Sequence, residues 1–355
     1  MQHVIVIGGG IIGLSTAVHA LEKGMNVTLL EKGRTGSGAT RAAAGMLGAQ
    51  TERHADSQVL SFALQARAYW KTFHRKLEEW SGAATGYRQE GAFRAAFNQK
   101  ETAELEKLAA SHQQAGAASQ WIDPSASFIQ EAGALLYFPE EAQVDARMAA
   151  EALRLSFLTL GGALHEHTEV TGYEKTASGW MVYAGDNTFQ ADAVLAAPGA
   201  AGLPAGKGPE VYPVKGECAA LLPQQQPFSE TIVTDDVYLV PKADGRIIIG
   251  ATETVNDTSD HVTAASITRL LAAAITIVPE LADAPLHETW AGIRPQHRSG
   301  IPAVAEWDDR FFVSLGHYRN GILLSGLTGN LLSSWLAGGA RPEQLAIFSK
   351  EEVFT

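Results

Sequence analysis

The stretch HVIVIGGGIIG at residues 3–13 decides the fold of this 355-residue chain. A short β-branched run leads directly into three glycines, and helical apolar spacing begins immediately after them. Gly8, Gly10 and Gly13 match the pattern G-x-G-x-x-G. Its glycines allow a sharp turn, a close approach of backbone to a pyrophosphate, and tight packing of helix on strand. This context predicts a strand–turn–helix unit that binds a dinucleotide.

Glu31 strengthens that prediction, because it follows the next predicted strand, residues 26–30. The helix start offers backbone N–H groups to phosphates, and a carboxylate at Glu31 suits the hydroxyls of an adenosine ribose. This spacing is typical of both NAD and FAD proteins. The Gly- and Ala-rich loop 33–48 takes the place of a further simple βα unit and is rich in backbone donors and hydroxyls, which favours FAD.

Composition restricts the class of protein. Hydrophobic residues make up 46% of the chain, and its length allows two domains or one large α/β unit. The formal net charge of −12 argues against a nucleic-acid partner, and the single cysteine, Cys218, excludes an internal disulfide. The uncharged stretch 321–340 contains five glycines, so a buried helix is favoured over a membrane span. We expect a cytoplasmic protein with a small-molecule substrate and no membrane partner.

The remaining patterns predict a nucleotide domain interrupted by a second, sheet-rich domain. His165 and His167 fall on one face of a predicted strand without a third ligand nearby, which argues against a metal site. Predicted helices occupy 12–23, 57–80, 101–119, 144–160, 263–278 and 321–339. Predicted strands occupy 3–7, 26–30, 87–97, 163–173, 180–183, 189–197 and 311–315, with mostly strands over 211–294.

Several motifs spread along the chain carry a resemblance to a known family. They are Gly8–Gly13 with Glu31, AAAGML at 42–47, YLVP at 238–241 with GAT at 250–252, WAGIRP at 290–295 and GHYRNGILL at 316–324. The chain resembles the FAD-dependent amine and amino-acid oxidase family, which contains D-amino-acid oxidase and sarcosine oxidase, and within it the glycine-oxidase branch.

The resemblance implies an α/β fold, in which a Rossmann-type FAD-binding domain carries an inserted antiparallel-sheet substrate domain. We assign residues 1–82, 140–212 and 296–355 to the FAD domain, and 83–139 and 213–295 to the substrate domain. The resemblance also implies oxidation of glycine, sarcosine or small D-amino acids by hydride transfer to flavin N5, with oxygen reduced to hydrogen peroxide. A role in thiamine biosynthesis and a homotetramer are implied as well.

Four side chains are expected at the substrate. A guanidinium matches a substrate carboxylate in bidentate fashion, and Arg294 resembles the carboxylate-binding arginine of the family. The resemblance places the Tyr238 hydroxyl on the same carboxylate and Met46 in the active site. Arg319 contacts either the substrate or its own domain. No protein base on the α-carbon is required, since the flavin takes the hydride.

FAD is expected to bind non-covalently, because Cys218 lies mid-chain, away from the point at which covalent sarcosine oxidases attach flavin. A helix beginning near 326–329 is expected to direct its N-terminus at the flavin. Val170, in a predicted strand 168–172, is expected to cover the adenine. The full set of expected cofactor-binding residues is Gly8, Gly10, Ile11, Ile12, Gly13, Glu31, Lys32, Thr40, Arg41, Ala42, Ala43, Gly45, Met46, Val170, Gly199, His317, Arg319, Asn320, Gly321, Ile322 and Leu323.

Two departures from the family pattern leave the substrate open. Glu253 stands where the glycine-oxidase branch has an apolar methionine that touches substrate, and Gly326-Leu327 replaces a Pro-Ala pair. A carboxylate facing the cavity would attract an ammonium group or repel a carboxylate. Two alternative functions stay open: a D-amino-acid dehydrogenase that passes electrons to an acceptor other than oxygen, and a flavin-binding subunit of a heteromeric complex.

Overall fold

A computed structural model of the chain describes residues 2–203 and 209–348. Its helices are α1 (Ile11–Glu22), α2 (Ala39–Ala42), α3 (Ser57–Ser81), α4 (Gln99–Gln114), α5 (Ala146–Thr159), α6 (Ala264–Ile277) and α7 (Gly321–Leu336). Residues 1, 204–208 and 349–355 of the predicted FAD domain lie outside the described residues.

The strands number twenty within the described residues. They are β1 (His3–Ile7), β2 (Asn26–Leu30), β3 (Met46–Leu47), β4 (Ala92–Ala96), β5 (Gln120–Ile122), β6 (Ala134–Phe138), β7 (Ala142–Gln143), β8 (Ala163–His165), β9 (Gly172–Thr176), β10 (Gly179–Ala184), β11 (Asn187–Ala191), β12 (Ala193–Ala196), β13 (Val211–Leu221), β14 (Thr231–Val233), β15 (Tyr238–Pro241), β16 (Ile247–Gly250), β17 (Thr254–Val255), β18 (Leu286–His297), β19 (Ala303–Asp308) and β20 (Phe311–Leu315).

A six-stranded sheet in the order β19-β20-β12-β1-β2-β8 contains the predicted nucleotide-binding unit. Its strands are parallel except for the β19–β20 pair. Alternate residues of β1 face opposite ways: Val4 and Val6 join the core under α1, α3, α5 and α7, whereas Ile5 and Ile7 pack towards the small sheet β9–β11. The predicted α/β architecture with a Rossmann-type unit is confirmed.

A nine-stranded, mostly antiparallel sheet forms the second layer, and four of its strands, β18, β13, β16 and β15, are consecutive neighbours. Its register places Tyr238, Gly250, Cys218 and Trp290 in one row across these four strands. The opposite face packs against α6 through a separate hydrophobic cluster. The sheet therefore has one face free to cover the loop that follows β2.

Two local predictions about strands are wrong. The predicted strands 163–173 and 189–197 are each divided between the six-stranded sheet and the small sheet, because β8 ends at His165 and β11 ends at Ala191. His167 lies beyond β8 with a positive φ of 54°, so the two histidines do not share a strand face. Val170 likewise lies in irregular backbone before β9 rather than in a strand, although its side chain is buried.

The predicted helix 321–339 begins where α7 does, at Gly321, whereas the expected flavin-directed helix start near 326–329 is wrong. Gly326 and Gly329 lie inside the helix and allow close packing. A Cβ on Gly326 would press on Phe73 of α3, and one on Gly329 would press on the backbone at Ser15 of α1. Among the described residues, no helix is long and apolar enough to cross a membrane, and no cluster of three potential metal ligands occurs.

Candidate active site

The glycine turn joins β1 to α1 and leaves the start of α1 open. Gly8 has a φ of 102°, and a Cβ on Gly13 would collide with the Gly8 carbonyl. Gly10 precedes the helix in an extended conformation and provides no side-chain cap. The Ile11 N–H donates to the Thr40 hydroxyl at 3.0 Å. Because the first N–H groups of a helix lack intrahelical acceptors, this turn can bind a phosphate.

Glu31 holds its carboxylate beside the glycine turn. One carboxylate oxygen accepts from the Gly9 N–H at 2.7 Å and the other from the Gly33 N–H at 2.8 Å. The expected cofactor residues Lys32 and Arg41 have exposed side chains. Gly199 begins a short 3-10 turn just beyond β12, next to the strand end that Gly8 approaches.

The loop after Glu31 reaches the nine-stranded sheet through short contacts. The Trp290 indole N–H donates to the Ala42 carbonyl at 2.9 Å, and Gly45, at a φ of 85°, approaches the Val144 carbonyl so closely that a Cβ would not fit. The segment Ala42–Met46 is therefore held against the free face of the sheet. Met46 is half-buried there beside Tyr238.

Lys242 is a fully buried lysine that fastens this loop to the sheet. Its Nζ donates to the Ala44 carbonyl at 2.5 Å, the Gln143 side-chain oxygen at 2.8 Å and the Val144 carbonyl at 2.9 Å. Burial lowers the pKa of Lys242 to about 7. Its three acceptors match the three donors of an ammonium group, so the side chain acts as a tether between the two layers.

Replacing Lys242 with methionine is expected to lower the free energy of unfolding by about 2–4 kcal/mol, because three buried acceptors lose their donor. Urea titration of the purified proteins measures this difference. Lys175→Met serves as the matched control, since the Lys175 ammonium forms only exposed ion pairs. Equal losses in the two variants would remove Lys242 from this role.

A cavity of about 110 Å³ lies between the loop and the sheet. Arg294 lines it from β18 and Tyr238 from β15, with β13 and β16 between these two strands. A Cβ on Gly216 would collide with the Arg294 guanidinium, and one on Gly250 would collide with the Tyr238 ring. These two glycines therefore make room for both side chains on the same face of the sheet. Arg294 Nη1 donates to the Thr252 carbonyl at 3.2 Å.

Cys218 also lines the cavity, with its sulfur 3.5 Å from the Tyr238 hydroxyl. The sheet register brings this mid-chain cysteine beside Tyr238, and the expectation of non-covalent FAD stays a prediction. Burial raises the pKa of the Cys218 thiol and raises the pKa of Tyr238 well above its usual value. Both groups therefore stay protonated and neutral at ordinary pH.

Arg319 lines the cavity from the turn before α7 and pairs with Glu52. The Glu52 carboxylate accepts from Arg319 Nη2 at 2.9 Å and from Nε at 3.2 Å, and this charge raises the pKa of Arg319. Sequence reasoning missed Glu52, since the two residues lie far apart in the chain. The Arg319 charge is thus already balanced within the protein.

The start of α7 lies beside the start of α1. A Cβ on Gly321 would be 4.0 Å from Ile11, Asn320 supplies no side-chain cap, and Ile322 lines the cavity. His317 is buried, with Nε2 2.9 Å from the Ser314 hydroxyl. Its Nδ1 has no hydrogen-bond partner within the described chain, and burial lowers the pKa of His317 to about 3.

Comparisons with known proteins agree with this geometry. Residues 3–335 match the family described as FAD dependent oxidoreductase. The glycine oxidase of Geobacillus kaustophilus (strain HTA426) is 36% identical over 98% of this chain and 96% of its own length. The chain belongs to the family of FAD-dependent oxidoreductases.

Two further relatives refine the comparison. A crystal structure of glycine oxidase from Geobacillus kaustophilus superimposes with a TM-score of 0.94 at 34% identity, covering 98% of each chain. A bifunctional protein ThiO/ThiG from Synechocystis sp. is 31% identical over 99% of this chain and 54% of its own length. This FAD-dependent oxidoreductase is therefore an oxidase of amines or amino acids.

The described residues fit FAD on several independent observations. The glycine turn excludes side chains where a pyrophosphate would approach, and Glu31 lies beside it. Two helix starts without side-chain caps lie together, and the buried His317 Nδ1 next to them lacks a partner. The backbone N–H groups at these two helix starts could hold FAD, one at its phosphates and the other towards the cavity.

Eight of the predicted site residues line the cavity: Met46, Tyr238, Arg294, Arg319, Ala42, Ala43, Gly45 and Ile322. The glycine turn, Glu31 and Thr40 lie together at the start of α1, where they could hold a phosphate. Lys32 and Arg41 are exposed, and neither lines the cavity. Glu253 is exposed and lies outside the cavity wall, but it hydrogen-bonds Tyr318, which lines the wall.

Proposed function

We propose that this oxidoreductase oxidises glycine or a closely related small amine at the cavity between the flavin loop, Ala42–Met46, and the nine-stranded sheet. The observation that carries the proposal is Arg294. Its guanidinium lines a small cavity and contacts only a backbone carbonyl, with no acidic partner in the described chain. A half-buried guanidinium without an acidic partner among the described residues is poised to bind a carboxylate of the substrate.

Tyr238 supports the same orientation. Its protonated hydroxyl lies next to the neutral Cys218 thiol and donates to one oxygen of the substrate carboxylate. The Arg294 guanidinium binds the same carboxylate from β18. Met46 forms an apolar wall and the Arg319–Glu52 pair closes one side without adding net charge. Together these residues hold the α-carbon of a small amino acid at a fixed place and exclude water from one side.

The glycine turn, Glu31, Thr40 and the start of α7 are proposed to hold FAD non-covalently. When bound, FAD accepts a hydride from the α-carbon of the substrate and delivers the two electrons to oxygen. Glycine, oxygen and water then become glyoxylate, ammonia and hydrogen peroxide. Orienting the α-carbon and admitting the neutral amine are the tasks that remain for the protein.

The cellular role follows from the resemblance. The relative named ThiO/ThiG supports the proposal that the product of this oxidation is supplied to thiamine biosynthesis. A homotetramer in the cytoplasm is the form that the resemblance to the glycine-oxidase branch implies.

A steady-state assay tests the proposal. We expect glycine, sarcosine or D-alanine to consume oxygen and to yield one hydrogen peroxide and one oxo acid for each amine released. Oxygen electrode traces and enzymatic assay of peroxide measure this ratio. Turnover only with an artificial electron acceptor would instead identify a dehydrogenase, and no turnover with any acceptor would favour a flavin-binding subunit.

A further inference from the structure

Five charged residues line the cavity, and ion-pair partners balance the charges of three of them. They are Glu52, Asp235, Asp236, Arg294 and Arg319. Arg319 is paired with Glu52 at 2.9 Å. Asp235 accepts from Arg94 at 2.7 Å and lies 3.3 Å from Arg53, so two guanidinium groups outside the cavity balance its charge.

Two of the five charged residues, which have opposite signs, have no ion-pair partner among the described residues. Neither Arg294 nor Asp236 forms an ion pair with any residue that the structure describes. Arg294 lies on β18, beside β13 of the nine-stranded sheet, whereas Asp236 lies in the exposed turn between β14 and β15. The cavity therefore carries a positive charge on the sheet and a negative charge at its rim.

The turn holds Asp236 in this place without using its carboxylate. The Thr234 hydroxyl accepts from the Asp236 N–H at 3.2 Å and from the Val237 N–H at 3.0 Å, and it donates to the Val237 carbonyl at 2.9 Å. The backbone hydrogen bonds fix the turn, so the carboxylate has no structural task in it. An asparagine at this position would keep the same turn.

We propose that Asp236 is a specificity-determining residue that selects small amino acids carrying a cationic group over those carrying a second carboxylate. The proposal rests on the proposed function, because Arg294 must take the one carboxylate that every such substrate shares. With that carboxylate bound, a second anionic group meets the charge of Asp236 at the rim, whereas an ammonium group is attracted to it.

Three D-amino acids provide a matched test. D-Norvaline, D-2,4-diaminobutyrate and D-glutamate share two side-chain methylenes and differ in a terminal methyl, ammonium or carboxylate group. Each is measured as a competitive inhibitor of glycine oxidation by the FAD-loaded enzyme at low ionic strength. We expect the inhibition constant of diaminobutyrate to be about fivefold below that of glutamate, since exposed charge pairs have modest effects.

Three variants separate Asp236 from the general charge of the protein. Asp236→Asn should bring the two inhibition constants to within about twofold, and Asp236→Glu should keep the preference. Asp186→Asn, which removes an exposed carboxylate on the small sheet, should leave the preference unchanged. High salt should weaken the preference in the unmodified enzyme, because exposed charges are screened.

Equal inhibition by diaminobutyrate and glutamate in the unmodified enzyme would overturn the proposal, as would a preference that survives in Asp236→Asn. Failure of the proposed function looks different. In that case glycine itself would neither consume oxygen nor reduce the flavin in any variant.

Discussion

Replacing Arg294 with leucine is expected to lower kcat/KM for glycine at least about 100-fold, because the substrate carboxylate loses a charged hydrogen-bonding partner in the cavity. The flavin should remain bound, since Arg294 lies on the nine-stranded sheet and contacts none of the glycine turn. Steady-state kinetics together with the visible absorbance of the purified protein measure both effects.

Two matched variants make this result specific. Arg294→Lys keeps the charge but loses the bidentate fork, so it should recover only part of the activity. Arg154→Leu removes a half-buried arginine that pairs with Glu151 on the same helix, and it should change neither kinetics nor flavin content. Full turnover in Arg294→Leu would show that another group binds the carboxylate.

Replacing Glu31 with arginine is expected to weaken FAD binding at least about 100-fold. The change removes the acceptor of two backbone N–H groups, Gly9 and Gly33, and places a cation beside the turn. Because FAD stabilises the folded state only when it binds, the melting temperature of the variant should also stop rising with added FAD. Equilibrium dialysis with FAD measures the affinity directly.

Glu31→Gln and Lys32→Gln are the controls for this second prediction. Glutamine keeps an acceptor of similar shape without the charge and should weaken FAD binding less than arginine does. Lys32→Gln changes the exposed neighbouring residue and should retain the cofactor. If Glu31→Arg holds FAD as tightly as the unmodified protein, the assignment of Glu31 to the cofactor is wrong.

Local signals in the sequence were sufficient for the first strand, the glycine turn and the long third helix. The predicted strands 3–7, 26–30 and 311–315 coincide with β1, β2 and β20, because each is a run of buried apolar residues. The helix α3 begins at Ser57 as predicted, where Asp56 caps its first turn by accepting from Gln58 and Val59.

Glycines inside α7 show where local reasoning was insufficient. Gly326 and Gly329 resemble turn residues in sequence, yet they lie within a helix because Phe73 and Ser15 of neighbouring helices press on them. Nothing within a few positions of either glycine reveals those contacts. The same reason explains why Gly216 was not recognised as the residue that makes room for Arg294.

The pairing of charged side chains in the site also could not be predicted from the sequence. The resemblance brought Arg319 and Arg294 to the site, but only the folded chain shows that Glu52 balances one of them while the other has no acidic partner in the described residues. Lys242 was missed for a similar reason, since its three acceptors come from segments about 100 or more residues away in sequence.

The central claim is that this protein transfers electrons from a small amine to bound FAD and then to oxygen. The most direct measurement is the visible spectrum of the FAD-loaded protein, mixed without oxygen with glycine, sarcosine or D-alanine in separate samples, followed by admission of air. We predict that at least one of them bleaches the flavin and that air restores its colour rapidly. A yellow protein that none of these amines bleaches would contradict the account.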